Sequence, residues 1–128
     1  MTTSGEVEAN VCKSVGNFER EHMGRGPKGL RAHLLGDLLV IRLTGVLTAP
    51  EQQLAQTLPA EKGRDLVKQV RTHLIEAARP ILDAMIQEAT GVKVLSLHHD
   101  ISTVTGEEVL VFTLAEMPVC RQPNRRLS

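Results

Sequence analysis

A glycine-rich loop, Gly24-Arg25-Gly26-Pro27-Lys28-Gly29, is the stretch of this sequence best suited to bind a small anion. Glycines let consecutive backbone amides point towards a ligand, and the side chains of Arg25 and Lys28 would attract negative charge. The loop lacks the Gly-Lys-Ser/Thr ending of a phosphate-binding P-loop, and no strand precedes it. The alternative is a simple connector between a helix and a strand. The anion-binding candidates are Gly24, Arg25, Gly26, Lys28 and Gly29.

A second candidate is His98-His99-Asp100, which falls late in a predicted strand. Because side chains alternate along a strand, His98 and Asp100 share one face. A metal site needs three or four converging ligands, and His33 would add a third only if two hairpins lie side by side. The same pair could serve acid–base catalysis in a small enzyme. We favour a polar outer face, and expect no catalytic residue, no metal and no cofactor.

Other chemical signatures are missing from the sequence. It has no Gly-x-Ser-x-Gly, Cys-x-x-Cys, His-Glu-x-x-His or dinucleotide-binding fingerprint. Cys12 and Cys120 lie near opposite ends of the chain, which argues against a disulfide framework or a cysteine metal site. Two thiols, no signal peptide and no long apolar run predict a cytoplasmic protein that does not insert into the membrane.

Composition limits the partners. The 128 residues include two Phe, no Trp and no Tyr, and the formal net charge is zero. The chain therefore offers few rings for stacking nucleic acid bases and no global basic field, so we expect no nucleic acid partner. Charge is nevertheless uneven: residues 25–80 hold nine Lys or Arg against five acids, and residues 81–116 hold one against six. This asymmetry fits self-association or a charged partner, and also chance.

Apolar spacing predicts an alternation of helices and hairpins. Val7, Val11, Val15 and Phe18 recur at helical spacing, and the Gly36-Asp37 turn between two apolar runs is typical of a hairpin. The run Thr48-Ala49-Pro50-Glu51 is a capping box that opens a short helix. The predicted elements before and after the long central helix are a helix at 6–23, strands at Leu30–Leu35 and Leu38–Thr44, a short helix from Thr48 to about Thr57, and strands at 92–101 and 108–114.

The longest helical signal runs from Glu61 to Thr90, with Gly91 as its cap and an expected kink at Pro80. It carries two apolar stripes. The first is expected to build the core, so that Leu74→Asp or Ile81→Asp would unfold the domain; it consists of Val67, Val70, Leu74, Ala77, Ala78, Ile81 and Met85. The second is a candidate interface, covered either by the first helix or by another chain; it consists of Ile75, Leu82 and Ile86, edged by Arg71 and Arg79.

Five segments of the sequence, in order, carry a resemblance to a known family: Phe18–Lys28, Gly45–Thr48, Gly63–Arg71, Thr90–Val94 and His98–Thr103. They resemble the small bacterial MpsC-like family, named after the C component of a sodium-translocating, membrane-potential-generating system. The resemblance implies an accessory protein linked to ion or inorganic-carbon uptake across the cytoplasmic membrane. It brings no catalytic residue.

These patterns together predict one α+β domain over residues 1–117, followed by a flexible basic tail at 118–128. Two hairpins would form a four-stranded antiparallel sheet in two layers with the long kinked helix, in the order α-β-β-α-α-β-β. The leading hypothesis is a non-enzymatic homodimer, at the membrane only through a transporter subunit, that serves ion or bicarbonate uptake. The alternatives are an anion or nucleotide-phosphate sensor at the Gly24–Gly29 loop and a small enzyme using His98 and Asp100.

Overall fold

The computed structural model describes residues 3–56 and 60–119, in which helices and strands alternate in two layers. The predicted α+β class and the single four-stranded antiparallel sheet are confirmed. The elements are α1 Ser4–His22, β1 Gly29–Leu35, β2 Leu38–Thr44, α2 Ala49–Gln56, α3 Ala60–Ala77, α4 Arg79–Thr90, β3 Val94–Ile101 and β4 Glu108–Leu114. The prediction of a flexible tail falls, from residue 120 onward, outside the described residues.

The two hairpins pair with each other inside one chain. The strand order is β1-β2-β4-β3, and every neighbouring pair is antiparallel. Leu35 pairs with Leu38 across the Gly36-Asp37 turn, where Gly36 adopts a positive φ of 65°. That conformation is readily available to glycine, so the turn and the alternating apolar pattern together fix the register of the first hairpin.

Capping boxes start two of the helices, α1 and α2. At α2 the Glu51 amide donates to Thr48 Oγ1 at 3.3 Å and the Thr48 amide donates to Glu51 Oε1 at 2.8 Å, as the sequence predicted. A second box starts α1, where the Glu6 amide donates to Thr3 Oγ1 at 3.1 Å. Each box satisfies amides that have no partner inside the helix and so defines where the helix begins.

The predicted long kinked helix is two helices, which corrects the sequence prediction. Helix α3 ends at Ala77, Ala78 lies between the two, and α4 carries Pro80 in its first turn. Because proline has no amide hydrogen, it is favourable in a first turn and unfavourable inside a helix. The local cost of Pro80 is thus avoided by starting a new helix, which ends at Gly91 with a left-handed cap.

The core lies between the helices and one face of the sheet. Helix α1 packs against β1 and α4, α2 against α3, and α3 against β3. The inward positions of β2 and β4 are fully buried, whereas the alternate positions on the other face are partly or fully exposed. Buried core residues include Val7, Val11, Val15, Phe18, Leu39, Ile41, Leu43, Leu97, Ile101, Leu110, Phe112 and Leu114.

The structure corrects the roles predicted for the two apolar stripes of the central helices, although Val67, Ala78 and Met85 of the first stripe do contact the core. The candidate interface residues Ile75, Leu82 and Ile86 are completely buried within the chain. Of the presumed core stripe, Val67 is buried, but Val70, Leu74 and Ile81 are 48%, 40% and 46% exposed. The inward side of α3 is defined by positions 67, 71 and 75, about 100° around the helix from 66, 70 and 74. The structure therefore shows one of the two alternatives for the second stripe, namely that other residues of the same chain cover it.

Candidate functional site

A buried ionic cluster lies where three helices meet the sheet. Arg71 of α3 is 3% exposed, and Glu19 of α1 and Glu108 of β4 are 1% exposed. Arg71 Nη2 lies 2.7 Å from Glu108 Oε1 and 3.3 Å from Glu19 Oε1, and Nε donates to Glu108 Oε2 at 3.4 Å. Glu51, at the start of α2, approaches Arg71 Nη1 at 4.0 Å. One guanidinium thus joins all four elements.

Charge inside this cluster is unbalanced, because three carboxylates face one guanidinium. Burial, with the nearby Glu108 carboxylate, raises the pKa of Glu19 to about 7 despite the opposing effect of Arg71. Glu19 Oε2 is buried and has no hydrogen-bond partner among the described residues. Arg71 therefore pairs principally with Glu108. Glu19 gains or loses its proton near neutral pH, and loss of the proton adds one negative charge to the buried cluster.

Arg71 was predicted to edge a protein interface, and the structure corrects that prediction. Its guanidinium points into the cluster, where it neutralises carboxylates from other elements. Arg79, the other predicted edge, is half-buried, and its Nε donates a bifurcated hydrogen bond to Asp83 Oδ1 and Oδ2 at 2.9 and 3.0 Å. Neither cation is directed at an external partner in this structure.

A row of exposed aliphatic side chains runs along α3 and α4, and we call it the α3–α4 stripe. It consists of Leu66, Val70, Leu74 and Ile81, which are 40–48% exposed. Positions four apart on a helix lie side by side, so the first three form a continuous apolar strip. From the sequence, Val70, Leu74 and Ile81 of this stripe are predicted to lie in the core.

The glycine-rich loop does not place its two cations together on an outside ligand. Arg25 Nη2 donates to the Gly45 carbonyl at 3.1 Å, which fastens the loop to the end of β2. Lys28 is exposed and lines an open, polar cavity of about 370 Å³ with Gln52, Thr103 and Thr105. Of the two cations predicted to bind an anion, Lys28 is the one whose side chain lines this cavity and could contact a ligand.

The histidine pair on β3 is also spread apart. His98 lies on the outer face of the sheet, His99 faces inward with Nε2 2.9 Å from Glu76 Oε2, and Asp100 pairs with Lys68 at 3.2 Å. His33 is on the same outer face, but three strand spacings away, which is roughly 14 Å. No group of three or more His, Cys, Asp or Glu side chains in the described part of the chain is arranged to hold a metal ion.

Cys12 is a partly buried thiol beside the first strand. Burial raises the pKa of this thiol, which favours the unreactive protonated form. Its Sγ lies 3.9 Å from the Leu30 carbonyl, the geometry of a weak S–H donor. The structure therefore gives Cys12 a packing environment between α1 and β1.

None of the helices in the described residues is both long and apolar enough to pass through a bilayer. Comparison with known proteins finds that residues 3–116 match the family model described as the Na⁺-translocating membrane potential-generating system, MpsC. The uncharacterised protein YbcI of Bacillus subtilis (strain 168) is 34% identical over 112 residues, which is 88% of either chain. No solved structure matches this chain. With nearly all of its length aligned to one family model, this chain belongs to the MpsC family.

Proposed function

We propose that this protein is a non-enzymatic accessory component of a Na⁺-translocating membrane system, and that it docks on a membrane-embedded partner. The observation that carries the proposal is the α3–α4 stripe, where four large aliphatic side chains remain 40–48% exposed on a domain with a complete core. The family description supplies the setting, since it refers to a Na⁺-translocating, membrane-potential-generating system.

The stripe has the composition of a protein-binding helix face. Its centre is aliphatic, and the exposed positions around it are polar or charged, including Asp65 and His73. An apolar centre with a polar rim is the usual arrangement of a protein interface, and helices commonly dock such a strip into a groove. On this proposal the protein works in the cytoplasm at the membrane periphery, held there by its partner.

The cargo of the system is part of the proposal. The family description refers to Na⁺, and we extend it to inorganic carbon, so that Na⁺ entry through the partner supports bicarbonate uptake. A strain that lacks this protein would then grow normally in CO₂-enriched air and poorly in ambient air. Equal growth of that strain in both atmospheres would contradict a role in bicarbonate uptake. The role in Na⁺ translocation is tested separately by the next experiment.

The experiment is genetic complementation with a matched pair of variants. A host lacking this chain but retaining its membrane partners is given wild type, Val70→Glu or Gln69→Glu, and uptake of radioactive sodium is measured in membrane vesicles. Positions 69 and 70 are adjacent and exposed, but only Val70 belongs to the stripe. We expect wild type and Gln69→Glu to restore uptake and Val70→Glu to lose most of it, because a buried charge without a partner strongly opposes docking.

The readout must separate loss of docking from loss of folding. Both variants change exposed positions, so their thermal melts should lie within a few degrees of wild type. If Val70→Glu is folded and restores uptake as well as wild type does, the α3–α4 stripe is not the docking surface. If wild type itself restores no uptake, the accessory role is wrong.

An anion or nucleotide-phosphate sensor is the second candidate function. The observation in its favour is the polar cavity of about 370 Å³ beside Lys28, lined also by Gln52, Gln56, Thr103 and Thr105. A single exposed cation with hydroxyl and amide groups around it suits a phosphate group with modest affinity.

A thermal-shift measurement distinguishes the sensor from the docking protein. Phosphate, ATP and bicarbonate would each be titrated against wild type and Lys28→Ala. A ligand at about a hundred times its dissociation constant should stabilise wild type by about 2.7 kcal/mol and should stabilise Lys28→Ala much less. The sensor hypothesis fails if none of the three anions shifts wild type, or if both proteins shift equally.

A further inference from the structure

The outer face of the sheet is an unusually regular open surface. The strand register aligns outward-facing side chains in rows that cross all four strands. The helices that contact the sheet, α1, α3 and α4, pack on the opposite face, and α2 packs on α3. Half-buried aliphatic side chains occupy much of the two central strands on this face, with Arg42 on β2 as the exception, and the outermost strands carry Arg31, Asp100 and the histidines. In the order β1, β2, β4, β3, one row is Arg31, Arg42, Val109 and Asp100, and the next is His33, Val40, Val111 and His98.

Charge on this face is segregated between its two edges. Arg31 on β1 is exposed and has no acidic partner among the described residues. Its neighbour Arg42 is paired with Glu107. At the other edge, the side chain of Asp100 on β3 is 76% exposed, with Lys68 on the helix side as its partner. At this level of the strands the outer face therefore carries a positive charge on β1 and a negative charge on β3.

We propose that this face binds a second copy of the same chain, with the two sheets stacked about a two-fold axis parallel to the strands. Such an axis places β1 of one copy over β3 of the other and keeps each row opposite itself. Arg31 then faces Asp100 of the second copy, and the symmetry creates this pair twice. Val40 faces Val111 in the same way, so aliphatic residues meet near the centre of the interface, where Arg42 keeps its acidic partner within its own chain.

The alternative two-fold axis in the sheet plane, perpendicular to the strands, gives a poor match. It would place each strand over its own counterpart, so that Arg31 faces β1 of the second copy and not Asp100 on β3. Strand β1 carries no acidic residue, so Arg31 would meet no opposite charge. The distribution of charge on the face thus selects the axis along the strands, and stacked sheets normally keep their strands within about 30° of each other.

The size of the face predicts how tightly the copies associate. Four strands of about seven residues cover roughly 19 Å by 23 Å, so two copies together bury about 900 Å² of flat area. This value is near the lower bound of about 1,000 Å² for specific interfaces, and weak association is typical at that size. We therefore expect a reversible dimer with a dissociation constant in the micromolar range.

A charge swap tests the proposal. The dissociation constants of wild type, Arg31→Asp, Asp100→Arg and the double variant would be measured by sedimentation equilibrium. Each single variant places like charges opposite one another twice, so the dissociation constant should rise at least about tenfold. The double variant restores both opposite-charge pairs and should return to within a few-fold of wild type. Circular dichroism shows whether each variant is folded.

Three results would overturn the inference. The first is a wild type that stays monomeric at millimolar concentration. The second is a dimer that neither single variant weakens. The third is a folded double variant that is no tighter than the singles, because the charges then do not face each other. Leu74→Glu, on the α3–α4 stripe, is the control: it should leave the dissociation constant unchanged, and a loss of dimer there would show that the copies meet through the helices.

Discussion

Glu19 is a buried carboxyl group whose ionisation affects the stability of the fold. It is 1% exposed, and its Oε1 lies 3.3 Å from Arg71 Nη2, whereas Arg71 has its closest contact with Glu108. Removing an ion from water costs several kcal/mol unless its partners compensate. The single arginine compensates Glu108 well and Glu19 incompletely, and the buried Glu19 Oε2 reflects that imbalance.

Glu19→Gln should alter the pH dependence of stability. The pKa of Glu19 is raised to about 7 in the folded protein from 4.5, so the folded state favours the protonated form. Its contribution is fully present below pH 4.5 and is lost as the pH rises through about 7, at most about 3 kcal/mol in total. The amide side chain of the variant does not ionise and has no such loss. The stability of Glu19→Gln relative to wild type should therefore increase from pH 5 to pH 8, as measured by urea unfolding.

A neutral exchange on the exposed part of the same helix, Asn10→Gln, is the control and should run parallel to wild type across the pH range. A Glu19→Gln curve that is also parallel to wild type from pH 5 to 8 would show that Glu19 is ionised in the folded protein throughout. The cluster would then hold one more negative charge than we infer.

The ionic cluster was not accessible to sequence reasoning, for a physical reason. Arg71 is 52 residues from Glu19 and 37 from Glu108, so no local spacing relates them. An arginine on an amphipathic helix among other charges is normally on the surface. The available signal was Arg71 falling in register with Val67 and Ile75, which are both buried. The Thr48–Glu51 capping box, by contrast, depends on three-residue spacing and was predicted correctly.

Adjacent positions on α3 test which of its faces builds the core. Ile75 is fully buried and Leu74 is 40% exposed, although both side chains contain four carbons. Ile75→Ala should lower the free energy of unfolding by about 2–5 kcal/mol, because it leaves a cavity in the core. Leu74→Ala should lower it by less than about 1 kcal/mol. Urea unfolding measures both free energies. Equal losses would mean that Leu74 contributes to the core as much as Ile75 does, as the sequence predicts for Leu74.

Periodicity predicted the central helices but could not orient them. The first stripe repeats every three or four residues and the second at seven and four, and both spacings keep the residues on one side of a helix. The three-and-four spacing predicts the stripe through Leu74 and Ile81 as the core. What decides the orientation is tertiary: α1 covers α4, and the carboxylates of Glu19 and Glu108 receive Arg71 from the inward side.

Helices α2 and α3 approach each other closely at Gly63. A Cβ built at this position would lie 1.9 Å from the Leu54 carbonyl oxygen, a backbone atom that cannot move without moving α2. Gly63→Ala should therefore separate the two helices and destabilise the protein by about 1–3 kcal/mol. This loss would exceed any gain in helix propensity, which is worth about 1 kcal/mol.

Gly16 of α1 provides the matched control for this substitution. A Cβ there would meet only side-chain atoms, at 3.6 Å from Leu30 and 3.7 Å from Arg20. Gly16→Ala should leave the protein as stable as wild type or more so, by up to about 1 kcal/mol. Thermal melts compare the two variants. Equal stabilisation by both would mean that α2 is free to shift away from α3.

The strands were the part of the fold most completely predictable. Each hairpin joins neighbouring segments, and the first has a two-residue glycine turn that fixes its register. The pairing of β2 with β4 joins segments about 70 residues apart in the sequence. No local pattern specifies this pairing, because it forms only when the two hairpins come together in the folded protein. Stability should follow the same division, with the central strands most protected and the peripheral helices least.

Helix α2 should be the first of the described elements to open. Ala55 is its single buried residue, and its packing is mainly against α3. Strands β2 and β4, in contrast, are central in the sheet and bury three and four side chains. Because few apolar contacts are lost when α2 separates, its amides should exchange with solvent through local opening, at a free energy at least about 2 kcal/mol below that of β4. Native-state hydrogen exchange measures both. Exchange of α2 at the same free energy as β4 would mean that the Glu51–Arg71 contact and the fit at Gly63 hold α2 as firmly as the core.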